Sequence, residues 1–233
     1  MLSGDQFLQK AFIDKLDFHS YVAKQMFNLP VDVDQVKKQY PNERQYAKAI
    51  TFGIMYQAGP AKIAETVNKD AKAGEEISVA QSRQFIQKYF NEAKALKKFI
   101  DGSNQQIENH AFIYSFFGRK RRLPEAKSPN QGVSKHAIRS GVNFLVQSVA
   151  SDINVLGVVD LVQWIEDNDY LEDILPFTVV HDSIVSEVRD DLVDEYIENA
   201  RRCIQKDRGL SIPGCPIKVD FEVGPSWGEL EEL

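Results

Sequence analysis

Helical spacing of apolar positions governs the first two-thirds of this chain, and a helix–hairpin–helix–strand order follows. Phe7 to Phe27 is helical in pattern, with a break near Asp17. Val31 to Tyr40 reads as a short helix. Pro41 and Asn42 open a helix that runs through Arg44 to Tyr56. Gly59-Pro60 ends that helix and starts the next, because proline is favoured in a first turn. Val79 to Asn104 predicts one long helix beginning near Ser78. Ala111 to Phe117 is β-rich in residue type and runs into Gly118, a turn candidate. Ser134 to Ile165 predicts another long helix. Its apolar arc holds Ile138, Val142, Leu145, Val149, Ile153 and Leu156, and its polar arc Arg139, Asn143, Gln147 and Ser151. A strand–turn–strand follows around Asp182, then a helix from about Leu192 to Gln205 and a strand from Ile217 to Val223. This order predicts an α+β sheet domain carrying a helical insertion.

The chain has 233 residues, 43% of them hydrophobic, enough for one large domain or two interlocked subdomains. No run approaches the length of a membrane span, and the first residues lack the basic start and apolar stretch of a signal peptide. Cys203 and Cys215 stand in an ordinary intracellular composition, so neither a disulfide nor a zinc cluster is expected. The net charge of −6 argues mildly against nucleic-acid binding, but its distribution matters more than its sum. Acids concentrate toward the C-terminus. The middle carries Lys94, Lys97 and Lys98, then Arg119 to Arg122, Lys135 and Arg139. A basic DNA-facing surface on an acidic protein is compatible with that polarity.

The densest chemistry lies between Arg44 and Tyr56. Arg44, Lys48, Phe52 and Tyr56 recur every fourth residue, and an i+4 step on a helix drifts by only about 40°. All four share one broad face, while Ala47, Ile50, Ile54 and Ala58 form a separate stripe that suffices for docking. Cations in line with unburied aromatics suit a site that holds a triphosphate at one end and stacks a base and sugar at the other. The bland alternative is a solvated face with two incidental rings.

Three further features carry chemistry. Asp182 sits at the tip of a β-branched hairpin, where a carboxylate between apolar flanks calls for a compensating cation or hydrogen bonds; a plain turn-forming aspartate is its alternative. Arg139, Asn143 and Gln147 form a stripe nearly free of Glu and Lys. Such donors suit minor-groove contacts, where every base pair presents acceptors. The Arg119 to Arg122 cluster suits phosphate contact, with a solvated charge run as its rival.

Taken together, the Arg44/Lys48/Phe52/Tyr56 helix and the His181-Asp182-Ser183 turn resemble the second and third polymerase motifs of family A DNA polymerases, the bacterial DNA polymerase I type. The resemblance covers essentially the whole chain. It implies an α+β right-hand polymerase fold, an antiparallel palm sheet with a helical fingers subdomain. Residues 1–17 would be the palm-to-fingers connection, 18–130 the fingers and 131–233 the palm. It implies nucleotide contacts from His19, Arg44, Lys48, Phe52 and Tyr56, with Lys48 also catalytic. DNA contacts would come from Arg119, Arg121, Arg139, Asn143, Gln147 and His181. Asp182 would be a ligand of two Mg²⁺ ions, with the second carboxylate outside this chain. Expected partners are primer–template DNA, dNTP and a polypeptide carrying the first polymerase motif and thumb, in the cytoplasm of a bacterial or phage-infected cell and without a membrane.

Departures from the family pattern are Gln57 for a glycine, Thr51 for an asparagine and Ser183 for a glutamate. The first motif, with the other metal-binding aspartate and the sugar-gate glutamate, is expected just before Leu2, so the isolated chain is expected to be inactive. Two rivals stand beside a DNA polymerase. A single-subunit RNA polymerase shares the Arg/Lys/Tyr helix and often has His-Asp-Ser. A non-catalytic nucleic-acid-binding protein could keep the fold and lose the chemistry.

Overall fold

The computed structural model describes residues 2–69, 71, 76–210 and 217–233. Its elements are α1 (Gln6–Ile13), α2 (Phe18–Phe27), α3 (Val33–Gln39), α4 (Pro41–Met55), α5 (Pro60–Asn68), α6 (Val79–Glu92), α7 (Lys94–His110), β1 (Phe112–Tyr114), β2 (Lys120–Arg122), α8 (Gln131–Asp167), β3 (Ile174–Val180), β4 (Ser183–Val188), α9 (Val193–Ile204), β5 (Glu222–Val223) and β6 (Glu231–Glu232). The fold is thus mainly helical with small antiparallel sheets. It divides into two compact units, one running to Val146 and the other from Gln147 to Leu233.

The first unit is built around α4. Ala47, Ile50 and Ile54 are buried, as the stripe requires, and pack in a core with Val22 and Met26 of α2, Ile63 and Val67 of α5 and Tyr89 of α6. Each fully buried branched side chain here stabilises by about 1.5–3 kcal/mol. Pro41 and Pro60 occupy first helical turns, as expected. A β-carbon on Gly53 would stand 2.6 Å from Ile63 Cγ1, so its absence lets α4 approach α5 closely.

The break near Asp17 is real: Asp17 is the N-cap of α2, accepting from the Ser20 amide at 2.8 Å. The predicted helix from Val79 to Asn104 is two helices, interrupted at Ala93. Ser78 and Gln81 form a reciprocal capping box at the first of them. The second is capped from far away. Asp5, 3% exposed, caps α1 through the Phe7 and Leu8 amides, and its other oxygen accepts from Leu96 N at 2.9 Å. An amide satisfied by a residue distant in sequence leaves no local signal of a helix start.

Ala111 to Phe117 folds into the antiparallel pair β1–β2, with Phe112 opposite Arg122 and Tyr114 opposite Lys120. Gly118 turns it with φ +83°. Helix α8 extends past both ends of the predicted Ser134 to Ile165; Ile138, Val142, Leu145, Val149 and Ile153 are buried and Leu156 half-buried. With 37 residues and an 18-residue stretch of mean hydropathy 1.5, α8 is also long and apolar enough to cross a membrane by composition alone, which corrects the expectation of no such run. Polar residues spaced along it hide that length from inspection. Ile138, Val142 and Leu145 pack in the core of the first unit, and Leu161 and Ile165 in that of the second.

In the second unit, Leu161, Ile165, Ile174, Leu192, Ala200 and Cys203 form a smaller core. Hairpin β3–β4 forms as expected, with a register shift between Pro176 and Thr178. The C-terminal strand differs from expectation. Among the described residues of that stretch only Glu222 and Val223 are strand, and they pair with Glu231 and Glu232. The described strands make three separate two-stranded antiparallel sheets. Cys215 lies outside the described residues, and Cys203 is a free, buried thiol.

Candidate nucleotide site

Helix α4 holds the predicted row on its outer face. Phe52 and Tyr56 are 48% and 47% exposed, although Val22 and Ile50 nearby are fully buried. Tyr56 stands at the C-cap, one residue beyond the helix. Lys48, Phe52 and Tyr56 line a cleft of about 370 Å³, together with Gln45, Gly53 and Thr66. A cation, two half-exposed rings and polar side chains along one opening form a surface able to bind an anionic aromatic ligand.

Arg44 is not free in this arrangement. Its Nε donates to Asp17 Oδ2 and its Nη2 to Asp17 Oδ1, each at 2.8 Å. Asp17 therefore caps α2 and grips the first cation of α4 at once. The hydrogen bonds from Arg44 hold the Asp17 carboxyl well below the usual carboxylate range. Sequence reading placed Asp17 only at a helix break. Its N-cap position was legible, but its pairing across 27 positions was not.

His19 lies in the first turn of α2, its ring centroid 5.9 Å from that of Phe52. Burial and the nearby Arg44 charge pull its pKa below the ordinary histidine value, and Lys48 acts in the same direction. Its Nδ1 is buried with no hydrogen-bond partner among the described residues. His19, Arg44, Lys48, Phe52 and Tyr56 thus belong to one neighbourhood of the first unit.

The departures at Gln57 and Thr51 have structural counterparts. Gln57 takes a left-handed backbone, φ +53°, a conformation that favours glycine. Its Oε1 accepts from Asn104 Nδ2 at 3.0 Å, tying the end of α4 to α7. Thr51 is buried on the inner side of α4, away from the exposed row.

The predicted DNA contacts divide. Arg139 and Gln147 are exposed on α8 and Asn143 is half-buried. Arg121 faces inward: its Nη2 donates to Ser140 Oγ at 2.7 Å, and its guanidinium lies 5.4 Å from the Phe144 ring centre. Arg119 lies over the same ring at 5.8 Å. Phe144 is a residue that sequence reading missed; its place beside Asn143 was its only signal.

Asp182 and His181 form the two-residue turn of β3–β4, and His181 has φ +56°. Both are exposed, and Val179 and Val180 are 44% and 40% exposed. Asp182 is therefore open rather than buried between its apolar flanks, which corrects the expectation that burial there calls for a compensating partner. Among the described residues, no group of three or more His, Cys, Asp or Glu side chains is arranged to hold a metal ion. The turn offers one carboxylate, so the described residues alone do not make a Mg²⁺ site, which needs several oxygen ligands.

The first unit thus carries a cation- and aromatic-lined cleft and the second an exposed acid at a hairpin tip, in a mainly helical α+β fold of polymerase type. The family model for DNA polymerase family A matches residues 1–229, and the chain belongs to that family. It is 47% identical to the DNA polymerase of Escherichia phage T5, over 95% of this chain and 28% of that protein. It is 29% identical to DNA polymerase I of Pseudomonas aeruginosa, over 98% of this chain and 23% of that one. The chain thus spans about a quarter of the length of these curated relatives. Among solved structures, the POL domain of Pol1 from M. smegmatis, in complex with DNA primer-template and dNTP, superposes with a TM-score of 0.77 at 25% identity. That match covers 93% of this chain and 35% of that one.

Proposed function

We propose that this chain is the fingers and part of the palm of a DNA-templated DNA polymerase that adds dNTPs to a primer 3′-hydroxyl. The observation that carries the reading is the row of Lys48, Phe52 and Tyr56 along one cleft, flanked by Arg44 and His19. Lys48 and Arg44 are the contacts for triphosphate oxygens, Phe52 and Tyr56 the ring faces for sugar and base. The orphaned Nδ1 of His19 marks a polar group that a bound ligand can satisfy. The relative solved with DNA primer-template and dNTP supports the same ligands for this chain.

Asp182 is the acid we assign to the reacting end, and Arg139, Asn143, Gln147, Arg119 and His181 to the DNA. One carboxylate does not complete a metal-dependent site. The first polymerase motif, from a further segment or a partner chain with the thumb, would supply the rest. Function then requires Asp182 and that segment together. Primer extension tests this directly. The completed polymerase with Lys48→Ala should lose dNTP use by about tenfold or more, since each charge-assisted contact is worth about 1.5–3 kcal/mol. Unchanged extension by Lys48→Ala would remove the nucleotide assignment.

A further inference from the structure

The outward side of the β1–β2 hairpin has no part in the site described above. In a strand, alternate side chains point to opposite faces. Ile113 is buried, and Arg121 and Arg119 turn toward Phe144. The opposite set is Phe112, Tyr114, Lys120 and Arg122. Lys120 Nζ lies 3.9 Å from the centre of the Phe112 ring and 5.5 Å from that of Tyr114. The Phe112 and Tyr114 rings meet edge to face at 5.5 Å, and His110 extends the row 5.8 Å from Phe112. Tyr114 is 48% exposed, and Lys120 and Arg122 are exposed beside it.

Charge identifies the occupant. The chain carries a net −6, yet between His110 and Leu123 it has no Asp or Glu and four Lys or Arg residues. A row of rings interleaved with cations, on a segment free of acids, matches a strand with an anionic backbone and flat bases. Duplex DNA presents phosphates but keeps its bases stacked away from such rings. We infer that the outward face of the β1–β2 hairpin is a stacking platform for single-stranded DNA, with Tyr114 stacking a base and Lys120 and Arg122 contacting the backbone. The identification of that strand as template rests on the polymerase reading; the platform itself does not.

The test is fluorescence anisotropy of the full-length polymerase with labelled oligo(dT), with oligo(rU) as a second arm. Tyr114→Ala should weaken oligo(dT) binding about tenfold, and Tyr114→Phe, which keeps the ring, should restore it. Lys120→Gln should lower the salt dependence of binding by about one single-strand phosphate contact, a slope change of about 0.7. Thermal melting of each variant controls for folding. Unaltered oligo(dT) affinity in folded Tyr114→Ala, or equal losses in Tyr114→Phe and Tyr114→Ala, would overturn the platform. A loss confined to oligo(rU) would overturn the choice of DNA. Primer extension by the unsubstituted protein reports separately: extension with normal oligo(dT) binding in Tyr114→Ala leaves the polymerase reading standing and removes only the platform.

Discussion

Arg44 is held side-on by Asp17 through two hydrogen bonds of 2.8 Å, which engage its Nε and Nη2. A guanidinium fixed on one side presents its other side in a set direction, and this lowers the cost of ordering it around a ligand. Asp17→Asn tests whether that grip matters to nucleotide use. Asparagine caps a helix about as well as aspartate, so α2 should persist. The KM for dNTP should rise about threefold to tenfold with a smaller change in kcat, and Arg44→Ala should abolish the difference. A fall in KM would mean instead that Asp17 competes with the triphosphate.

The same pair sets an acid dependence. A carboxylate whose folded pKa is depressed stabilises the fold fully above its unfolded value, about 3.9, and that contribution disappears as pH falls through the folded value. Asp17→Asn should therefore flatten the acid limb of the stability profile below about pH 4. Urea denaturation across that range, compared with the unsubstituted protein, measures it.

His19 gives a second pH handle, with the opposite sign for ligand binding. Its pKa lies below the ordinary histidine value, so it is largely neutral at pH 7 and its protonation opposes folding as pH falls below about 6.5. A bound triphosphate would supply nearby negative charge and raise that pKa. Binding of dNTP should therefore take up protons as pH falls below the ordinary histidine value, about 6.5. Calorimetry in buffers of different ionisation enthalpy detects the uptake. It should vanish in His19→Gln.

Much of this neighbourhood was legible in the sequence. The i+4 row from Arg44 to Tyr56 and the stripe beside it follow from helix geometry; Ala47, Ile50 and Ile54 are buried as it requires, while Tyr56 is the C-cap and Ala58 lies beyond the helix, half-buried. The break at Asp17, the first-turn prolines and the Ser78 cap are local chemistry and were equally visible. What stayed hidden depends on residues distant in sequence. Asp5 starts α7 from 91 positions away, and so one predicted helix is two. Asp17 reaches Arg44 across 27 positions. The expectation of a compensating partner at Asp182 rested on its apolar flanks, which look alike whether or not anything covers them.

Gln57 allows a quantitative test of strain against contact. A non-glycine residue in the left-handed region costs about 1 kcal/mol, and one hydrogen bond contributes about 1 kcal/mol. Gln57→Gly removes both, and should leave stability within about 1 kcal/mol of the original. Gln57→Ala keeps the strain and strips Asn104 of its acceptor, so it should cost about 1–2 kcal/mol. Urea titrations of the two variants give the comparison. Gln57→Ala proving the more stable would show that the Asn104 contact contributes nothing.

The apolar side chains along β3 bear on the proposed need for a further segment. Leu175, Phe177 and Val179 are 56%, 51% and 44% exposed, and Trp227, 60% exposed, packs edge-on against Phe177 with ring centres 6.4 Å apart. So large an exposed apolar group at a sheet marks an interaction surface rather than a solvated one. A two-stranded sheet also leaves strand edges open for pairing. If the segment carrying the first polymerase motif docks here, Phe177→Glu should block its association and primer extension together. The substitution should scarcely alter the stability of this chain alone, because the ring is already half in water. Size-exclusion chromatography with the two polypeptides expressed separately measures assembly, and primer extension on the same fractions measures activity. Full extension by a Phe177→Glu assembly would place the docking surface elsewhere. Extension by this chain unaided would show that Asp182 needs no carboxylate from another segment.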